Sequence, residues 1–368
     1  MRVKLKDVCE KGTSNLKQSD ILSMDGKYPV YGASGYLGKI DYYHQDKPYI
    51  AVVKDGAGIG RTTIHSSKSS VIGTMQYLIP KENVMPEYLY YVVKHMHLQK
   101  YYTGATIPHI YFKDYQNEEF NLANSNMQRE IVEVLKNVEN TIRYQQMEIN
   151  KFDQLIKARF IEMFGEINNI KNSYTKMNMP EVCHIIDGDR GKNYPTAKEI
   201  FREGFCLFLN AKNVTSNGFN FNDCQYISRE KDKALRNGKL SIGDIVLTTR
   251  GTLGNLAFYN ETIPYENIRI NSGMVILRIN RDILNEIYFI EQFKMQLNII
   301  KNKIANGSAQ PQLPISLMNR IKITVPPLEI QNQFADFVRQ VDKSREEVKK
   351  SLEKTQQLYD SLMQEYFG

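Results

Sequence analysis

The chain has 368 residues, 42% hydrophobic and 24% charged, with a formal net charge of +7, which supplies enough apolar material for two ordinary cores and excludes a disordered or fibrous protein. No run of 18 or more apolar residues occurs, and the start, Met1-Arg2-Val3-Lys4-Leu5-Lys6-Asp7, lacks a signal peptide's apolar stretch. Neither a membrane span nor export is expected, and the cytoplasm is the default location.

In chain order, short β-rich runs come first, such as Tyr49-Ile50-Ala51-Val52-Val53 and Gln76-Tyr77-Leu78-Ile79, broken by Gly- and Ser-containing turns. Pro86 suits a first helical turn, and Tyr88, Leu89, Tyr91, Val92, Val93 and Met96 predict an apolar helix behind it. From Ile131 the spacing changes to alternating steps of four and three, through Leu135, Val138, Ile142, Gln145, Ile149, Phe152, Ile156, Arg159 and Met163. This is a heptad seam. The β-rich order then returns with Asp244-Ile245-Val246-Leu247-Thr248 and Gly273-Met274-Val275-Ile276-Leu277-Arg278-Ile279, a helix near Asn285 to Ile300, and a second seam. That seam reads Phe334, Val338, Val341, Arg345, Val348, Leu352, Thr355, Tyr359, Leu362 and Tyr366. A helix of some 38 residues runs about 57 Å, and the polar breaks, placed differently in the two copies, can fix pairing register.

The second half repeats the first. An ungapped offset carries Gly104 onto Gly307, Pro108 onto Pro311, Gln128 onto Gln331, Leu155 onto Leu358 and Phe164 onto Phe367. One long period fits two fused copies of a domain-plus-helix unit rather than a solenoid. The helical segments carry none of the positive surplus; Met1 to Met127 and Glu166 to Pro327 do. Basic globular parts fit phosphate neutralisation, although such a surplus is also common in proteins that never meet nucleic acid. Cys9, Cys183, Cys206 and Cys224 lack metal-ligand spacing and are expected as reduced thiols.

Gly56-Ala57-Gly58-Ile59-Gly60-Arg61 has Arg61 where a phosphate-binding fingerprint needs its third glycine, and the β-branched, polar Thr62-Thr63-Ile64-His65 follows it. It therefore reads as a glycine turn between strands. Its counterpart is Arg250-Gly251-Thr252-Leu253-Gly254-Asn255. Such turns, with Lys54 beside the first, either present donors to phosphates and base edges or are merely solvated. A second shared loop reads Gly-x-x-x-Pro-x-Ile/Leu, as Gly104 to Ile110 and Gly307 to Leu313.

With that loop, the duplication and the heptads, the chain resembles the specificity subunits of type I restriction-modification systems. Pro326-Pro327-Leu328-Glu329-Ile330-Gln331 also looks like that family's hinge into its helix, whereas Ala123 to Gln128 keeps only the Gln. The resemblance implies an α+β chain: two α/β target-recognition domains (1–127 and 169–327) separated by two long antiparallel coiled-coil helices (128–168 and 328–368), in an internal two-fold repeat. It implies a non-catalytic subunit that reads a bipartite asymmetric site on double-stranded DNA. Its partners are two DNA adenine methyltransferase subunits, which hold the S-adenosylmethionine, and often two restriction-translocase subunits. No methyltransferase, Walker-A or nuclease motif stands in the chain.

The residues expected to face DNA are Lys54, Arg61, Thr62, His109, Tyr111, Arg250, Thr252, Asn255, Gln310 and Gln312, on repeated, polar-edged connections. Apolar residues outside the seam, Val134, Leu155, Phe160 and Phe164, match Phe337, Leu358, Met363 and Phe367. They are expected to form a stripe that docks the methyltransferases, or else to pack on the chain's own domains. A coiled-coil scaffold with protein-binding ends stays open as an alternative, and salt-sensitive binding to duplex DNA separates the two.

Overall fold

The computed structural model describes residues 1–21, 26–104, 108–167, 169–170, 174–305 and 312–368. It divides into two compact units, Met1–Ile149 with Glu347–Gly368, and Asn150–Glu346. Each contains one α/β domain together with part of each long helix.

In unit 1, β1 (Arg2–Lys4) leads into β2 (Cys9–Thr13), β3 (Tyr28–Gly32), β4 (Gly35–Ile40), β5 (Tyr49–Val53), β6 (Thr62–His65), β7 (Ser70–Val71) and β8 (Met75–Pro80). Helix α1 (Pro86–His95), β9 (Glu119–Asn121) and the long α2 (Ser125–Phe164) follow. One antiparallel sheet has the order β2-β8-β5-β6; a second has β4-β3-β7, with β3 and β7 parallel. Strand β5 is buried on both faces, which is why it reads as a continuous apolar run instead of an alternating one. Ile50 and Val52 pack toward α1, whereas Tyr49, Ala51 and Val53 enter the cluster with Val71 and Tyr77.

Unit 2 rebuilds this plan. Its elements are β10 (Thr175–Asn178), β11 (Cys183–Asp187), β12 (Cys206–Leu209), β13 (Val214–Thr215), β14 (Gly218–Phe219), β15 (Tyr226–Ile227), β16 (Ile245–Thr248), β17 (Leu256–Phe258), β18 (Ile268–Ile270), β19 (Met274–Ile279), α3 (Glu286–Ala305), β20 (Lys322–Val325) and α4 (Leu328–Phe367). The sheet β11-β19-β16-β17 repeats β2-β8-β5-β6, and β15-β12-β18, with β12 and β18 parallel, repeats β4-β3-β7. The hairpin β13–β14 has no equivalent between β3 and β4, where Gly32 pairs directly with Gly35.

The long helices run antiparallel within each unit. In unit 1 Gln145 Nε2 donates to Ser351 Oγ at 2.8 Å and the Tyr359 hydroxyl donates to Glu139 Oε1 at 2.9 Å. In unit 2 Arg345 bonds Asp153 at 2.7 Å, and Phe160 meets Phe334 edge-on. Two of the seam's polar breaks, Gln145 and Arg345, thus find partners on the other helix. The first helix starts without a Pro-Pro hinge because Asn124 caps it: Oδ1 accepts the N–H groups of Asn126 and Met127 at 3.1 and 3.0 Å. Cys9, Cys183 and Cys206 are buried, each with its pKa pushed by burial to about 12. Among the described residues no helix is long and apolar enough to cross a membrane.

Candidate nucleic-acid interface

The two loops singled out by repetition lie against each other in unit 1. The amide of Gly56 donates to Pro108 O, that of Ile110 donates to Lys54 O, and Asp55 bonds His109 Nδ1 at 2.6 Å. In unit 2 the amide of Leu313 donates to Thr249 O, the bond that Ile110 makes to Lys54. Gly60 and Gly254 close their turns with φ of +79° each. At Gly60 a Cβ would also strike the Gln99 backbone nitrogen, so glycine is required there twice over; at Gly254 it would meet only the movable end of Lys301, and the positive φ is what calls for glycine. The closing bonds match as well: Gly60 N to Val53 O, and Gly254 N to Thr248 O.

Arg61 and Asn255 follow these turns, and both reach the segment after the central strand of the small sheet, a loop in unit 1 and the start of β13 in unit 2. Arg61 Nη1 donates to Ala33 O at 2.8 Å; Asn255 Nδ2 donates to Val214 O at 3.0 Å. Asn255, expected to face DNA, therefore turns its amide nitrogen inward. Arg61 stays exposed with donors to spare. The hydroxyl of Thr252 leans on Ala211 O at 3.4 Å, and that of Thr62 on Gly60 O at 3.1 Å. Arg250 and Gln312 are exposed, and neither side chain bonds any described residue; Lys54 is half-buried and likewise unbonded. Tyr111 is exposed and stacks on His109, with Lys113 Nζ over its ring at 5.4 Å. Gln310 lies outside the described residues.

Arg250 and Gln312 therefore flank one repeated loop pair, and Lys54, Arg61, His109 and Tyr111 the other. The β13–β14 hairpin adds a tip that sequence reasoning missed, although Asn217-Gly218 is a hairpin signal. Buried Asn213 anchors it by donating to Asn220 O and Asp223 O, leaving Lys212, Ser216 and Asn217 exposed.

A family model described as the type I restriction modification DNA specificity domain matches residues 1–152 and again 172–357. The chain belongs to that family. It is 24% identical over 345 residues to the type I restriction enzyme MjaVIII specificity subunit of Methanocaldococcus jannaschii, covering 84% of this chain and 77% of the relative. It is 22% identical over 306 residues to the MjaIX specificity subunit of the same organism, covering 77% and 68%. Its fold is similar to the crystal structure of a type I restriction-modification S subunit from M. genitalium, with a TM-score of 0.61 at 17% identity over 100% of this chain and 96% of that one. It is also similar to a chain solved in work on complex assembly and conformational transition of the type I system, with a TM-score of 0.59 at 13% identity over 100% and 97%.

For this specificity-family chain the apolar stripe needs correction. Phe160 and Phe164 are wholly buried, packed on Tyr288 of α3 and Phe334 of α4. Met363 and Phe367 are buried in unit 1 in the same way, with Phe367 edge-on to Tyr88. A helix flanked by both a partner helix and a domain buries more than the narrow seam, so these four side chains are internal packing. Phe337 is half-covered by the Arg159 guanidinium at 5.6 Å. Val134, Leu155 and Leu358 remain exposed, the last two at 47% and 51%.

Proposed function

We propose that this chain is a non-catalytic DNA sequence-specificity subunit that recognises a bipartite, asymmetric site, one block for each unit. It recruits two DNA adenine methyltransferase subunits, and the same assembly accepts restriction-translocase subunits. What supports the reading is one observation: the turns close with equivalent backbone bonds in both units, and one equivalent bond, Ile110 N to Lys54 O and Leu313 N to Thr249 O, ties each to the end of the second shared loop, while the side chains they offer differ. A fixed backbone under changed side chains suits two readers of unlike sequences, since base edges are read by donors and acceptors and phosphates by cations. Methyl transfer belongs to the partner, because a methyltransferase must extrude its target base, and S-adenosylmethionine binds there. The work is cytoplasmic, where the substrate DNA lies.

The test is co-purification followed by methylation mapping. The chain is expected to carry methyltransferase with it and to direct modification to a two-block motif that disappears when the gene is deleted. Leu155→Asp with Leu358→Asp should leave the chain folded and release the methyltransferase, because these side chains are the exposed pair on matching helical positions. Duplex binding that ignored salt, or a motif unchanged by the deletion, would return the scaffold reading.

A further inference from the structure

Gln128 and Gln331 stand in the first turns of α2 and α4, and both are almost completely buried, at 1% and 0% exposure. Gln128 Oε1 accepts the amide of Met85, the residue before α1, at 2.8 Å. Its Nε2 donates to Asn83 O at 3.1 Å and to Ala123 O at 2.9 Å. Gln331 repeats every bond: Oε1 accepts the amide of Asn285, before α3, at 2.9 Å, and Nε2 donates to Ile283 O at 2.9 Å and Pro326 O at 2.7 Å. One side chain thus joins three segments: the loop entering the domain's helix, the link into the long helix, and the long helix itself.

The surroundings differ while the bonds stay the same. Asn83 faces Ile283 in the repeat, Met85 faces Asn285, and Ala123 faces Pro326. Both junctions also hold a tyrosine, Tyr88 and Tyr288, whose hydroxyls donate to Asn121 O and Thr324 O at 2.9 Å each. Glutamine suits this place because a primary amide accepts one bond and donates two from one rigid plane. A glutamate lacks the donors, a lysine lacks the acceptor, and an asparagine is one methylene short. Loss of the glutamine leaves buried Asn285 and Pro326, and half-buried Met85 and Ala123, without that partner, so the bonds resist small rotations of the junction.

We propose that Gln128 and Gln331 are positioning residues that fix the angle between each recognition domain and its long helix, and thereby set which spacer between the two DNA blocks the protein accepts. The inference rests on the bipartite reading above. Neither glutamine touches DNA in this account, so both blocks should keep their sequence when a glutamine is replaced.

The experiment is methylation mapping, in the host that carries the gene, of the full chain with Gln128→Met, Gln331→Met or Gln128→Glu. The methionine variants keep the length and remove all three bonds; the glutamate variant keeps only the acceptor. Expected is an unchanged pair of blocks with modification spreading to sites whose spacer is one base pair longer or shorter. That fraction should rise roughly tenfold, the factor equivalent to one well-made hydrogen bond. The glutamate variant should show a rise at least as large, because its carboxylate faces the two carbonyl oxygens that the amide nitrogen bonded, and either substitution carries the test if the other does not fold. A folded variant with wild-type spacer discrimination overturns the proposal, and so does a change in block sequence. If the wild type shows no two-block motif at all, the bipartite reading fails instead.

Discussion

In unit 1 a carboxylate ties the domain to the helix pair, whereas in unit 2 aromatic rings fill the corresponding space. Glu139 accepts from Lys94 Nζ at 2.8 Å and from the hydroxyls of Tyr91 and Tyr359 at 2.9 Å each. In the repeat, Tyr359 becomes Ile156 and Met363 becomes Phe160, which stacks on Tyr288 with centroids 5.7 Å apart. Asp342, in Glu139's place, pairs with Arg345 one turn along its own helix. The two copies thus solved one packing problem with opposite chemistry, yet kept the glutamine's three bonds and the closing bonds of the glycine turn. Divergence is free where only volume must be filled and constrained where direction must be held.

The comparison breaks most sharply at Phe160. Phe160→Ala should cost unit 2 about 3–5 kcal/mol, seen in chemical unfolding. A fully stable Phe160→Ala chain that had lost its methyltransferase would make the ring a docking residue after all. Next comes the loop face. Arg250→Ala should weaken duplex binding by about 1–3 kcal/mol and relax only the block read by unit 2, while Lys212→Ala should lower affinity across all sequences and reduce the salt slope by about one. Equal loss on every duplex in the Arg250 variant would reduce that residue to a phosphate contact.

The smallest effect is at the carboxylate. Both partners of the Lys94–Glu139 pair are about a third exposed or more, so screening holds the cost of Glu139→Ala to about 1–2 kcal/mol. Burial alone would raise the Glu139 pKa, but the bonds from Lys94, Tyr91 and Tyr359 hold it below the ordinary carboxylate value. A depressed pKa contributes stability that is present above the ordinary value and lost as pH falls through the depressed one. Acid titration should therefore loosen unit 1 with a component that Glu139→Ala removes. An identical acid profile in that variant would mean the carboxylate carries no such linkage.

The long helices, the repeat and the glycine turns were legible in the sequence, because heptad spacing and required positive φ leave direct marks on residue type. The fate of Phe160, Phe164, Met363 and Phe367 was not. Periodicity reports how wide a helix's buried arc is, but not whether a partner subunit or the chain's own domain covers it. Asn255 misled for a related reason: a polar residue after an exposed turn can face solvent or bond Val214 O, and composition does not choose. The matching of Gln128 with Gln331 was visible, but the three bonds each makes depend on loops far away in sequence.

The central claim is that one chain holds two separate readers. Exchanging residues 169–327 for the corresponding segment of another family member, then mapping methylation across the genome, tests it most directly. The account predicts that one block of the motif changes while the other block and the spacer stay as they were. A change in both blocks, or in neither, would contradict it.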